Sequence, residues 1–433
     1  MSSAGRRGGP ARAPSVTGMT RLPIVLVLLV AGVGPAACHD SATSATPATS
    51  VSAGAPGQAA MLAGGKKFAA CMREQGIGDW PDPQVQPGGG ISLGHSAQQG
   101  TAVTAARAAC QHFLGSPSMN ASPHADRDDA AAAGWVTKAP GGDCECADGS
   151  AYHFYVRTGD PAKVVLFLDG GGACWSAPTC STGGGNRYQA TVEPPDRGGI
   201  FGTANARNPF ARYSFVYVPY CTADVHLGAA DTTYAAGLTI HHHGYANGTA
   251  ALDQLVESFP KATDVVVVGG SAGSVSAPLY AGLAADRLPA AHVTSISDSS
   301  GSYPDVPQMN KLLTGKAWNA RDLPAHASIP GFTIATAERH PGIVFARVDH
   351  SQDEDQKFHL KLTGTPSDDV AALLKTTAAQ IEKAGVTLHT YTEPGSGHMV
   401  VDNDDFYTET VGGVVLADWV AGLVTGKPGP DVG

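Results

Sequence analysis

Asp264-Val265-Val266-Val267-Val268-Gly269-Gly270-Ser271-Ala272-Gly273 is the stretch on which the reading of this chain turns. Four consecutive valines offer no polar face, which suits a strand buried on both sides of a sheet. The run enters a G-x-S-x-G turn, and residues 274–286 behind it read as a helix. That turn is common by chance. Between a buried strand and a helix it has the context of a nucleophile elbow, which lifts a serine hydroxyl off the end of a sheet and leaves no room for neighbouring side chains. The plain alternative is a Gly/Ser turn with no chemistry.

Similar apolar runs flank it. Residues 163–168, 214–218 and 343–348 read as buried strands, with shorter candidates at 293–297 and 386–391. Helical patterns fall at 246–259, 368–384 and 406–424. Continuous apolar strands alternating with helices predict a doubly wound, mostly parallel sheet covered on both faces, the α/β-hydrolase type of architecture.

A serine nucleophile needs a base, and on this architecture the chain order is serine, acid, histidine. Of sixteen histidines, His389 and His398 lie well beyond the acid region. His389 falls inside a strand-like run. His398 follows Gly395-Ser396-Gly397 in a loop before the last helix, where the base belongs. The acid is open at this point: Asp349, Asp353, Glu354 and Asp355 follow the 343–348 run, and Asp298 ends the preceding strand. Upstream, Asp169-Gly170-Gly171-Gly172-Ala173-Cys174-Trp175 follows the first strong strand. A glycine run there lets backbone N–H groups face a developing oxyanion. No Gly-Lys-Ser/Thr or G-x-G-x-x-G makes it a phosphate loop. Gly171, Gly172 and Ala272 are the expected donors. Trp175 and Tyr220 read as cleft-lining or core aromatics.

Five motifs occur in order: residues 146–150 (Cys-Ala-Asp-Gly-Ser), 170–175, Pro219-Tyr220-Cys221-Thr222-Ala223-Asp224-Val225-His226, His243-Gly244-Tyr245-Ala246-Asn247 and 269–273. Together they resemble the pectin acetylesterase family, which includes the Notum-type carboxylesterases, and suggest a bacterial secreted member. The resemblance covers about residues 134–425. It implies a carboxylester hydrolase with a Ser-His-Asp triad, no cofactor and no metal, acting on acetyl or other short acyl esters such as those of a polysaccharide. The family's Asp-x-x-Gln pattern matches Asp353-Glu354-Asp355-Gln356 and thereby favours Asp353 as the acid. Asp298 becomes a pocket or structural residue. Gly172 stands where Notum-type proteins carry a Trp, so the acyl pocket wall is expected to differ. The rival classes are a lipase or thioesterase on the same fold, and a catalytically silent ligand-binding lipoprotein.

The remainder sets the compartment. Arg21, the apolar run 22–33 and Gly34-Pro35-Ala36-Ala37-Cys38 describe a secretory signal with a lipobox-like end, which makes Cys38 a candidate lipidation site and a lipid anchor the expected membrane link. Met19 would begin a cleaner signal than Met1. A formal net charge of −10, with no Lys/Arg cluster after residue 21, argues against nucleic acid. Export makes disulfides the default for the eight cysteines; with Cys38 set aside, one is expected to be left over. The expected organisation is 1–38 signal, 39–60 tether, 61–118 a small helical module stapled by Cys71 and Cys110, 119–133 linker, 134–425 catalytic domain and 426–433 tail. His241-His242-His243 reads as no metal site, because no carboxylate or cysteine lies near it in sequence at ligand spacing.

Overall fold

The computed structural model describes residues 56–78, 80–85, 91–92, 110, 134–181, 188–192, 195 and 198–433. The expected signal, lipidation site Cys38, most of the first tether and the second linker lie outside these residues. Of the small module, α1 (Pro56–Glu74) is described and begins within the expected tether. Phe68, Met72, Ile77 and Trp80 pack around the expected Cys71–Cys110 disulfide.

In chain order the larger domain contributes β1 (Val136–Lys138), β2 (Phe154–Arg157), β3 (Asp160–Leu168), β4 (Tyr213–Val218), a hairpin of β5 (Ala230–Ala235) and β6 (Leu238–His242), and helix α2 (Gly244–Ser258). Then follow β7 (Asp264–Gly270), α3 (Ala272–Arg287), β8 (His292–Asp298), α4 (Ile329–Arg339), β9 (Val344–His350), α5 (Glu354–Leu362), α6 (Val370–Lys383), β10 (Leu388–Glu393) and α7 (Leu416–Val424). One eight-stranded sheet runs in the order β10-β9-β8-β7-β3-β4-β2-β1. The strands from β10 to β4 are parallel, while β2 and β1 pair antiparallel at the edge. The α/β-hydrolase fold class is therefore as expected.

The valine run is buried on both faces because the pleat sends alternate residues to opposite sides. Val265 and Val267 join one core with Val164, Leu166, Leu168 and helices α2 and α3. Val266 and Val268 join the other with Val165, Phe167, Phe215 and Trp419 of α7. Burying each such aliphatic side chain is worth about 1.5–3 kcal/mol, so the polar substitution of any one would be felt across the sheet.

Two expectations need correction. Residues 406–424 are not one helix: Gly412 and Gly413, at φ 59° and 84°, turn a short hairpin, Thr410–Val411 against Val414–Val415, before α7. Such paired positive φ values break a helix and suit a two-residue hairpin. Residues 426–433 are not a free tail either. Val432 forms a parallel bridge to Tyr391 and extends the β10 edge, and Val432 N–H donates to Thr390 O while Val432 O accepts from Thr392 N–H. Cys146 pairs with Cys221, and Cys174 with Cys180. Cys144 is disulfide-bonded as well, so the expected left-over cysteine does not appear among the described residues.

Candidate active site

Strand order reverses between β3 and β7, and the loops leaving their carboxyl ends diverge there to form a crevice, the usual ligand position in an open α/β sheet. Ser271 follows β7 with φ 47° and ψ −113°, a strained conformation held by its surroundings. Its N–H donates to Asp298 O at 2.8 Å. The glycines around it are sterically required. A Cβ on Gly170 would lie 2.6 Å from Ser271 Cβ, one on Gly269 would run into Gly273 O, and one on Gly273 into Leu168 O. The turn can come this close to the sheet only where side chains are missing.

His398 Nε2 lies 2.8 Å from Ser271 Oγ, and His398 Nδ1 lies 2.8 Å from Asp353 Oδ2. Asp353 is fully buried and accepts from Gln356 N–H at 2.9 Å and from Gln356 Nε2 at 3.0 Å. A carboxylate can only accept, so Nδ1 carries the proton and Nε2 presents its lone pair to the serine hydroxyl. Burial works against the imidazolium of His398, but the Asp353 carboxylate outweighs it, aided by Asp355 and Asp298, and the pKa stands above the ordinary histidine value. Burial also pushes Asp353 upward, and the bonds from His398 and Gln356 more than reverse this, holding the carboxyl below its usual range.

Asp349 is turned elsewhere. It pairs with Arg347 at 2.8 Å and accepts from Gly301 N–H at 2.8 Å. Asp298 is fully buried and holds the loop after His398: its Oδ2 accepts from Val400 N–H at 2.8 Å and Val401 N–H at 3.0 Å. It lines neither cavity at Ser271, so the structure makes it a positioning residue and not a pocket residue.

Gly171, Gly172 and Ala272 all border Ser271. Gly171 and Gly172 line the polar cleft at Ser271, and Gly172 and Ala272 line the apolar recess there. The loop is braced from below. Asp169 Oδ1 accepts from Gly170 N–H at 2.8 Å, Asp169 Oδ2 from the Tyr217 hydroxyl at 2.6 Å, and Asp169 O from His226 Nε2 at 2.8 Å. Burial pushes His226 down to about 4, so it is a neutral donor near pH 7.

Two cavities meet at Ser271. One is an apolar recess enclosing about 520 Å³, open mouth included, lined by Trp175, Val225, Met309, Leu313, Trp318 and Ile329 among others. The other is an open polar cleft of about 1100 Å³, bordered by Asp169, Gln189, Tyr217, Asp355, His398 and Asp402. Trp175 lines the recess. Tyr220 does not line either cavity: it is fully buried, its hydroxyl accepts from Val225 N–H, and its ring packs where a Cβ on Gly171 would fall. Sequence reasoning missed His359, which borders both cavities from α5; a histidine on a short, weakly patterned helix carries no signal of its position.

The histidine run also departs from expectation. Alternation along β6 buries His242, whose ring nitrogens meet Thr222 O and the Tyr234 hydroxyl, and turns His241 and His243 to the other side. There Glu145 and Asp231 supply the carboxylates that sequence spacing did not show.

Residues 126–319 match the family model described as pectinacetylesterase. The palmitoleoyl-protein carboxylesterase NOTUM of Schmidtea mediterranea is 31% identical over 145 residues, 30% of this chain and 26% of that protein. Pectin acetylesterase 4 of Arabidopsis thaliana is 27% identical over 193 residues, 42% of this chain and 46% of that protein. The chain thus spans between about a quarter and just under half of the length of these curated relatives. Among solved structures, the Wnt deacylase Notum from Drosophila superposes with a TM-score of 0.50 at 17% identity, covering 68% of this chain and 94% of that one, a likeness of fold. Over residues 126–319 the chain is thus similar to the pectinacetylesterase family, and its sheet is similar in fold to that of Notum.

Proposed function

We propose that this protein is an extracytoplasmic serine carboxylester hydrolase. The observation that carries the reading is the unbroken chain Ser271 Oγ–His398 Nε2 and His398 Nδ1–Asp353 Oδ2, each link 2.8 Å long, beside the glycine loop 170–172. Ser271 attacks the ester carbonyl while His398 takes its proton. The tetrahedral oxyanion is met by the N–H groups of Gly171, Gly172 and Ala272, and His398 returns the proton to the leaving alcohol. Water, activated by the same histidine, then releases the acyl group. Asp353 keeps the imidazole in the right tautomer and stabilises its protonated form. No step needs a cofactor.

The polar cleft suits a hydroxyl-rich leaving alcohol, which fits acetylated polysaccharide as the substrate class. The apolar recess favours a second reading of the acyl side, since two tryptophans, a methionine and aliphatics line it, walls suited to an alkyl chain longer than acetyl. A series of p-nitrophenyl esters from acetate to palmitate, run beside an acetylated polysaccharide, separates the two. A kcat/KM that peaks at acetate, with acetate released from the polymer, supports the first; a peak at medium or long chains supports the second. No turnover of any ester by folded protein would end the enzyme reading.

A further inference from the structure

His241, His243, Glu145 and Asp231 bring one ligand atom each into a cluster whose members all lie within 4.8 Å of one another. His241 Nδ1 stands 2.8 Å from Asp231 Oδ1 and 3.1 Å from Glu145 Oε1. His243 Nε2 stands 2.9 Å from the same Asp231 oxygen and 3.5 Å from the same Glu145 oxygen. Each nitrogen thus faces two carboxylate oxygens at once, although one N–H can be aimed at only one of them. Four such atoms around a tetrahedral zinc ion, bonded at 2.0–2.2 Å, would be separated by about 3.3–3.6 Å along every edge. The four observed separations, 2.8, 2.9, 3.1 and 3.5 Å, reach that range or lie within about 0.5 Å below it, so a small outward movement of the side chains would admit the ion.

We infer that these four side chains form a structural site for a divalent transition-metal ion of the zinc class. Two carboxylates balance a double positive charge, and two imidazoles complete a mixed nitrogen–oxygen set suited to zinc. His243 Nδ1 lies 2.6 Å from Asp143 O, a carbonyl that can only accept, so Nδ1 carries a proton and Nε2, which faces the cluster, is the nitrogen left to ligate an ion. His241 can close in because Gly149 leaves room: a Cβ there would lie 3.3 Å from His241 Nε2. The frame is rigid. Asp231 and His241 are directly paired across the β5–β6 hairpin, and Glu145 sits between the disulfide-bonded Cys144 and Cys146. None of the four borders either cavity at Ser271, so the ion would brace the fold and not take part in ester hydrolysis.

The test uses the full chain, stripped with a chelator and titrated with Zn²⁺ alone. One ion per chain should bind and survive desalting, and the melting temperature should rise by several degrees at a hundredfold excess over Kd. His241→Ala with His243→Ala should lose that binding and the thermal shift. Asp231→Asn alters only an exposed side chain and should weaken affinity by roughly 100-fold while the protein stays folded, so a misfolded histidine variant cannot obscure the result. Failure of the wild type to bind Zn²⁺ in stoichiometric amount, or binding that persists unchanged in folded Asp231→Asn and in the histidine variant, would overturn the assignment and leave a purely ionic His–carboxylate cluster.

Discussion

Asp349 and Asp353 end and follow the same strand, and nothing in their local sequence says which one meets the histidine. The difference lies in their partners. Asp349 neutralises Arg347, a buried guanidinium also bonded to Thr377 and Leu374 O, while Asp353 bonds His398. Asp353→Asn should therefore fold normally and lose about 10⁴-fold in kcat, because the imidazole is left in the wrong tautomer. Asp349→Asn should retain the triad but unfold more easily by about 3–5 kcal/mol, the cost of leaving a buried charge unpaired. Paired kinetics and thermal melts separate the two, and the opposite pattern would reassign the acid. The same carboxylate sets the pH profile. His398 works as a base only when neutral, and its pKa is raised. The acid limb of kcat/KM should thus fall away below a pH higher than the ordinary histidine value of about 6.5. In Asp353→Asn the residual activity should show that limb moved to lower pH.

At the scale of elements, the elbow works because β3 and β7 lie side by side and the turn leaving β7 touches the end of β3. Gly273→Ala places a methyl on the backbone oxygens of Leu168 and Asp169, which cannot rotate away. It should cost about 1–3 kcal/mol and, by displacing Ser271, on the order of 100-fold in rate. Gly385→Ala is the control: it has positive φ but nothing within 4 Å, so it should strain only its own turn and leave kcat/KM unchanged. Equal kinetic losses in the two variants would mean that close packing at the elbow does not matter. The candidate serine and the candidate base were legible at this scale because each follows a strand-like run. The hairpin β5–β6 was not. Its strand Ala230-Asp231-Thr232-Thr233-Tyr234-Ala235 alternates half-buried with exposed residues and has little apolar content to mark it.

Across the whole molecule, the parallel sheet could be read from its valine runs, since strands covered on both faces cannot be mistaken for loops. The antiparallel edge, the turn at Gly412-Gly413 and the return of Val432 to β10 could not. They depend on pairings that local composition does not encode. The acid needed a family motif, and the cluster around His241 needed the fold, because Glu145 and Asp231 reach it from separate segments. Its ligands converge only once the disulfide-braced loop and the hairpin are in place. The arrangement of the site makes one claim above the others, that Ser271 is activated by His398. Labelling the folded protein with a fluorophosphonate, followed by peptide mass spectrometry, tests it directly. One adduct on the Ser271 peptide is expected, absent from Ser271→Ala and strongly slowed in His398→Ala. A folded wild type that takes no label, or a Ser271→Ala variant that labels as well as wild type, would contradict the account.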